Sequence, residues 1–195
     1  MRKALYADRD LYCDIFTTMF AGNTGTTWVL RKSINPKKAL RRMAGYTFAL
    51  GMAKKGVYIS DNNKGIAVCH RCDTKVPSLG EIWAEIVFAI TALNLKNLPG
   101  ILRRESYRKK QRPSSGKYLY FWFLGALPGE RSAAMELGKG IVREADKLNL
   151  PIYLETAEER LKPVYERYGF ETFHFWEQKE KGIRFWFLKR EPHTF

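Results

Sequence analysis

Four stretches of this chain have residue types spaced for chemistry. Cys69-His-Arg-Cys72 has the C-x-x-C spacing of a thiol metal site. A structural zinc site takes four ligands, yet there is no second C-x-x-C, and His174 and His193 lie far along the chain. The pair therefore reads as two thiols near a strand end, with no metal expected. Gly22-Asn-Thr-Gly-Thr-Thr27 has a phosphate-friendly composition but lacks the Lys-Ser/Thr ending of a P-loop, so it reads as a plain loop. From Lys96 to Lys117, eight basic residues stand against Glu105 alone. That charge suits a nucleic-acid contact, or a solvated helix near an acidic ligand. Tyr107 is the one aromatic among these charges, too few for a base-stacking platform. The fourth stretch, Tyr118 to Phe170, runs from an apolar segment through Gly129-Glu-Arg-Ser-Ala-Ala134 into a helical pattern. A buried strand entering a helix through small residues suits an anion.

The elements that must position these residues follow from periodicity. Asp8 to Phe20 places Leu11, Ile15, Phe16, Met19 and Phe20 on one helical face. A second helix is expected over Pro36 to Met52, with a basic start at Lys37, Lys38, Arg41 and Arg42. Gly56 to Cys69 reads as a β-hairpin around Asp61-Asn-Asn-Lys-Gly65. Gly80 to Leu95 reads as an apolar helix, and Ile101 to Lys110 as a further helical piece. Tyr118 to Leu127 is too apolar for a half-exposed strand and is expected at the centre of a sheet. Gly125 inside it suggests a bulge or a close approach. A helix follows to Leu148, then a strand over Pro151 to Thr156. The next helix starts near Glu158 or Glu159 and is capped by Gly169. Glu171 to Trp176 and Ile183 to Leu188 read as a closing hairpin.

At 195 residues, residues 1–195 are most simply one domain. The formal charge of +14 favours acidic partners. Three cysteines form no even framework, which points to a reducing compartment, and the sequence opens with no apolar signal segment. No apolar stretch is long enough to span a bilayer. A cytoplasmic protein without a membrane partner is the expectation.

The order of elements and three local patterns resemble the GNAT superfamily of acyl-CoA-dependent N-acyltransferases. Leu124-Gly-Ala-Leu-Pro128 is similar to the family's Leu-Gly-Val-x-Pro. Leu150-Pro-Ile-Tyr-Leu-Glu-Thr156 looks like its following strand, and Val164-Tyr-Glu-Arg-Tyr-Gly-Phe170 like its Tyr-Glu-x-x-Gly-Phe helix end. The resemblance implies an α/β fold: a central mixed, mostly antiparallel sheet with two splayed parallel strands, flanked by helices on both faces. The basic segment around 80–117 would be a helical insertion in a single acetyltransferase-like domain.

The resemblance further implies acetyl-CoA as co-substrate, lying between Phe121–Leu127 and Ile152–Thr156. Leu124, Ala126 and Leu127 would face its pantetheine arm, with an amide near Ala126 polarising the thioester carbonyl. The amides of Arg131, Ser132, Ala133, Ala134 and Met135 would hold the pyrophosphate. Tyr165, otherwise a core aromatic, would protonate the departing thiolate. Glu155 and Tyr120 are candidates for the base by position, beside a water relay. Two departures stand out. The family's Gln/Arg-x-x-Gly-x-Gly/Ala loop is shortened: counted from Pro128, Arg131 takes its first position and Glu136 its last, whereas counted back from the helix, the preferred register, Ser132 and Ala134 replace its glycines and the Gln is lost. Leu161 stands where an Asn often binds the cofactor arm. Function is thus expected to be N-acetyl transfer to an unidentified amine. The alternatives are acyl-CoA binding without transfer, or a nucleic-acid-binding module.

Overall fold

The structure, a computed structural model, describes residues 1–23, 29–30, 35–73, 92–114, 116–178 and 183–193. The expected loop at 24–27, most of the expected helix at 80–95 and the turn at 181–182 lie outside the described residues.

A two-residue strand, β1 (Arg2–Lys3), opens the chain and leads through a 3-10 turn into α1 (Arg9–Met19). The α1 face carrying Ile15 and Phe16 is buried, as is Tyr12, whose hydroxyl lies 3.0 Å from Thr47 Oγ1. That threonine belongs to α2 (Pro36–Ala53), which starts where its sequence demands. The Asn35 side chain accepts the amides of Lys37 and Lys38, and Pro36 occupies the first helical turn. Within the basic start of α2, Arg41 reaches back to Asp10 and Asp14 of α1. The predicted hairpin is β2 (Val57–Ile59) and β3 (Gly65–Arg71), almost wholly buried. A 3-10 turn and α3 (Leu98–Lys110) precede the central strand β4 (Leu119–Ala126). Then come α4 (Arg131–Leu148), β5 (Ile152–Thr156), a 3-10 turn at Glu159–Leu161 leading into the one-turn α5 (Lys162–Glu166), β6 (Glu171–Gln178) and β7 (Ile183–Arg190).

The strands form one seven-stranded sheet in the order β1-β2-β3-β4-β5-β7-β6. Every pairing is antiparallel except that of β4 with β5. Two cores cover its two faces. On one, Ile59, Ile66, Val68 and Phe123 pack under α1 and α2. On the other, Ala67, Leu119, Phe121, Ile152 and Leu154 pack under Leu137, Ile141 and Ala145 of α4. Tyr165 and Tyr168, at the end of α5, join this second core. The architecture is the expected mixed sheet with helices on both faces.

Candidate active site

The site is built from a failure of pairing. β4 is eight residues long, but it meets β5 at two positions, Leu119↔Ile152 and Tyr120↔Tyr153. Beyond Tyr120 the two strands separate, β4 following β3 and β5 following β7. A β-bulge accompanies the separation. Val68 pairs with Phe123 and Cys69 with Phe121, leaving Trp122 as the extra residue. Trp122 and Phe123, neighbours in sequence, consequently pack on the same face. Such a bulge bends and twists its strand, here just where β4 leaves β5. The bulge thus lies at Trp122 and not at Gly125. Gly125 serves a close approach instead, since a Cβ there would sit 1.8 Å from Met19 Cε.

The open edge of β4 carries backbone groups. The Leu127 amide donates to the Lys64 carbonyl on the β3 side, at 2.9 Å. Backbone directions alternate along a strand, so the amides of Ala126 and Leu124 turn toward the gap. The turn that follows uses Gly129 at φ +87°, and the Arg131 amide donates to its carbonyl. The Ala134 amide closes the first helical bond to Glu130, and Met135 continues the helix. Among the described residues, the amides of Ser132 and Ala133 have no partner. The Ala133 side chain is buried against the sheet, while Arg131, Ser132 and Met135 are exposed. These two amides lie at the positive end of an 18-residue helix and make a small cradle of the kind that favours an anion. Glu130 stands beside it, neutralised by Lys64 at 2.6 Å.

Tyr165 is half-buried at the end of α5, its ring 5.7 Å from that of Phe170. Burial raises its phenol pKa above the ordinary value. Its carbonyl accepts the amides of Tyr168 and Phe170, closing the turn through Gly169 at φ +82°.

On the opposite face, Glu155 and Tyr120 come together. Tyr120 donates to Glu155 Oε1 at 2.5 Å, and Arg108 of α3 donates both to that oxygen and to Tyr120 Oη, the latter at 2.7 Å. The Glu155 side chain is 4% exposed. Arg112 lies over the Tyr120 ring, 3.9 Å from its centroid, and pairs with Glu105. Burial raises the Tyr120 pKa against the opposing pull of Arg108 and Arg112. α3 is held here by Tyr107 as well, whose hydroxyl lies 2.8 Å from His174 Nε2 and whose ring stacks on Trp176 at 4.3 Å. His70 borders the same tyrosine at 5.9 Å between rings, and its Nε2 is buried with no hydrogen-bond partner among the described residues.

No protein-family model matches the chain. Among solved structures it is similar to the histone acetyltransferase HPA2 and related acetyltransferase from Corynebacterium glutamicum, with a TM-score of 0.68 and 17% identity over 99% of this chain and 96% of that one. The mosquito protein named arylalkylamine N-acetyltransferase like 5b gives a TM-score of 0.56 and 13% identity over 97% and 98% of the two chains. The fold is that of the GNAT acetyltransferases. A third neighbour with the same arrangement is the C-terminal condensation domain of Ebony, solved with beta-alanyl-dopamine, at a TM-score of 0.63 and 13% identity over 96% of each chain. The splayed pair of this GNAT fold is thus formed by β4 and β5.

Some residues of the site escape sequence reasoning. Arg108 sits in the basic run and carries no mark that distinguishes it from its neighbours. Asp146 does carry one: a carboxylate in the last turn of α4 opposes the helix dipole, a sign that it is kept for another partner. That partner is Arg190, with contacts of 2.7 and 3.1 Å. No helix among the described residues is long and apolar enough to cross a membrane, and no cluster of potential metal ligands occurs among them. Cys69 is buried in the core and Cys72 half-buried.

Proposed function

We propose that the chain is an N-acetyltransferase that moves an acetyl group from acetyl-CoA to a primary amine by direct attack in a ternary complex. The observation that carries this reading is the gap between β4 and β5, which joins a face bearing Tyr165 to a face bearing Glu155 and Tyr120. In this reading the pantetheine arm lies in the gap against Leu124, Ala126 and Leu127. Its thioester carbonyl points at the Ala126 amide, which stabilises the negative charge that develops on oxygen. The pyrophosphate rests on the start of α4, over the amides of Ser132 and Ala133. Arg131, Ala134 and Met135 complete that turn, with the Arg131 guanidinium free to make a charge-assisted contact.

The amine enters from the Glu155 face and attacks the thioester carbon. The nitrogen–carbon bond forms, the carbon–sulfur bond breaks, and the electron pair leaves on sulfur. Tyr165 gives that sulfur its proton, and burial keeps the phenol protonated for the task. The proton lost by the amine leaves through water on that face, where Glu155 and Tyr120 are the protein groups placed as candidates to relay it. Positioning is the main contribution to rate, since the amine and the thioester react without a covalent enzyme intermediate. Residues 1–195 then act as one domain, and α3 brings Arg108 to the acceptor side.

Thiol release from acetyl-CoA over a panel of amines tests this. Tyr165→Phe is expected to lower kcat by about 100-fold or more; turnover equal to that of the unmutated protein removes Tyr165 from the role. A second reading, acyl-CoA binding without transfer, is favoured by one observation: the cradle is small and has Glu130 at its rim. It predicts cofactor binding with no thiol release for any amine. A nucleic-acid contact by the basic segment is the weaker reading, because Arg108 and Arg112 turn toward Glu105, Glu155 and Tyr120.

A further inference from the structure

A helix of five residues has no stability of its own, because the cost of nucleation is never recovered. Something outside α5 must therefore fix the backbone of Tyr165. The ring contact with Phe170 restrains the side chain. The backbone is restrained by one buried residue on a distant strand. Arg190, 3% exposed at the end of β7, donates from Nε to the Tyr168 carbonyl at 2.9 Å. Its Nη1 and Nη2 grip Asp146 of α4 at 2.7 and 3.1 Å, and the His193 amide donates to the same carboxylate at 2.9 Å. Burial raises the Asp146 pKa, but the hydrogen bonds from Arg190 and the His193 amide prevail and leave it lowered. The carboxylate therefore stays charged. A Cβ on Gly169 would reach Arg190 Nε at 3.5 Å, so the left-handed residue of the turn packs on the same guanidinium. The path is continuous: Asp146 orients Arg190, Arg190 holds the Tyr168 carbonyl, and the Tyr168 amide is bonded to the Tyr165 carbonyl at 2.9 Å.

We infer that Arg190, oriented by Asp146, is a positioning residue for Tyr165. It sets the height of the phenol over the gap between β4 and β5. This inference rests on the acid role proposed for Tyr165. Lysine keeps the charge of Arg190 but has neither the planar fork nor the Nε contact.

The test is a cycle of kcat measurements on the full chain with acetyl-CoA, using Arg190→Lys, Tyr165→Phe and the double variant. Arg190→Lys is expected to lower kcat by about tenfold with the KM for acetyl-CoA unchanged, and to change kcat by less than about twofold in the Tyr165→Phe background. Asp146→Asn, which keeps the shape, is expected to follow the same pattern and serves if the lysine variant does not fold. Equal loss in both backgrounds, or no loss in either, overturns the inference while leaving the acid role intact. An unchanged Tyr165→Phe turnover overturns both.

Discussion

At the residue scale, His70 shows how strongly this sheet controls protonation. Its imidazole is 7% exposed, and burial, aided by the charges of Lys54 and Arg112, pushes its pKa from 6.5 down to about 3. The folded chain therefore holds His70 neutral, while the unfolded chain takes up a proton below pH 6.5. Between those values the unfolded state binds more protons, so the contribution of His70 is complete above pH 6.5 and is lost as pH falls. His70→Phe is expected to lose less stability between roughly pH 7 and pH 5 than the unmutated chain, measured by urea denaturation at each pH. Parallel losses would show that the imidazole is not neutral in the fold. The same burial acts on Tyr165 in the opposite sense, keeping its proton on beyond the ordinary phenol range of about 10. The turn after Tyr165 was legible in the sequence because Val164-Tyr-Glu-Arg-Tyr-Gly-Phe170 contains the glycine that closes it, at φ +82°. Arg190 was not, since its partners Asp146 and Tyr168 lie 44 and 22 residues away and no local pattern encodes the meeting.

At the scale of elements, α3 is the piece whose role the charge pattern obscured. A run of basic residues reads as a solvated face, yet Arg108 faces inward because Glu155, 47 residues later, is buried beneath it. Removing one member of a buried pair leaves the other charge uncompensated. Arg108→Met is expected to destabilise the fold by about 3 kcal/mol, and Arg108→Met with Glu155→Gln to recover most of that loss. Chemical denaturation of both variants checks it. A double variant as unstable as the single one would mean that Arg108 contributes through packing instead of through the charge of Glu155. The strands and helices themselves were largely legible. Apolar periodicity and the cap at Gly169 mark most of them within a few residues, while the two-residue β1 carries no such signal. The bulge at Trp122 was not, because a bulge is defined by the pairing with β3 and not by the composition of β4 alone. Gly125 was a true signal with a different cause: the neighbour that approaches is the side chain of Met19.

At the scale of the molecule, a formal charge of +14 on 195 residues favours an acidic ligand, which the proposed cofactor is. The two cores lie on opposite faces of one sheet, and β4 and β5 separate between them after Tyr120. If acetyl-CoA occupies this gap, it stabilises the folded chain, and thermal unfolding with and without acetyl-CoA measures that stabilisation. At about 100 times the dissociation constant, binding to the folded state contributes about 2.7 kcal/mol. For a chain of this size that corresponds to a midpoint raised by roughly 5–10 °C. A midpoint that does not move at millimolar acetyl-CoA would mean that the gap does not bind it.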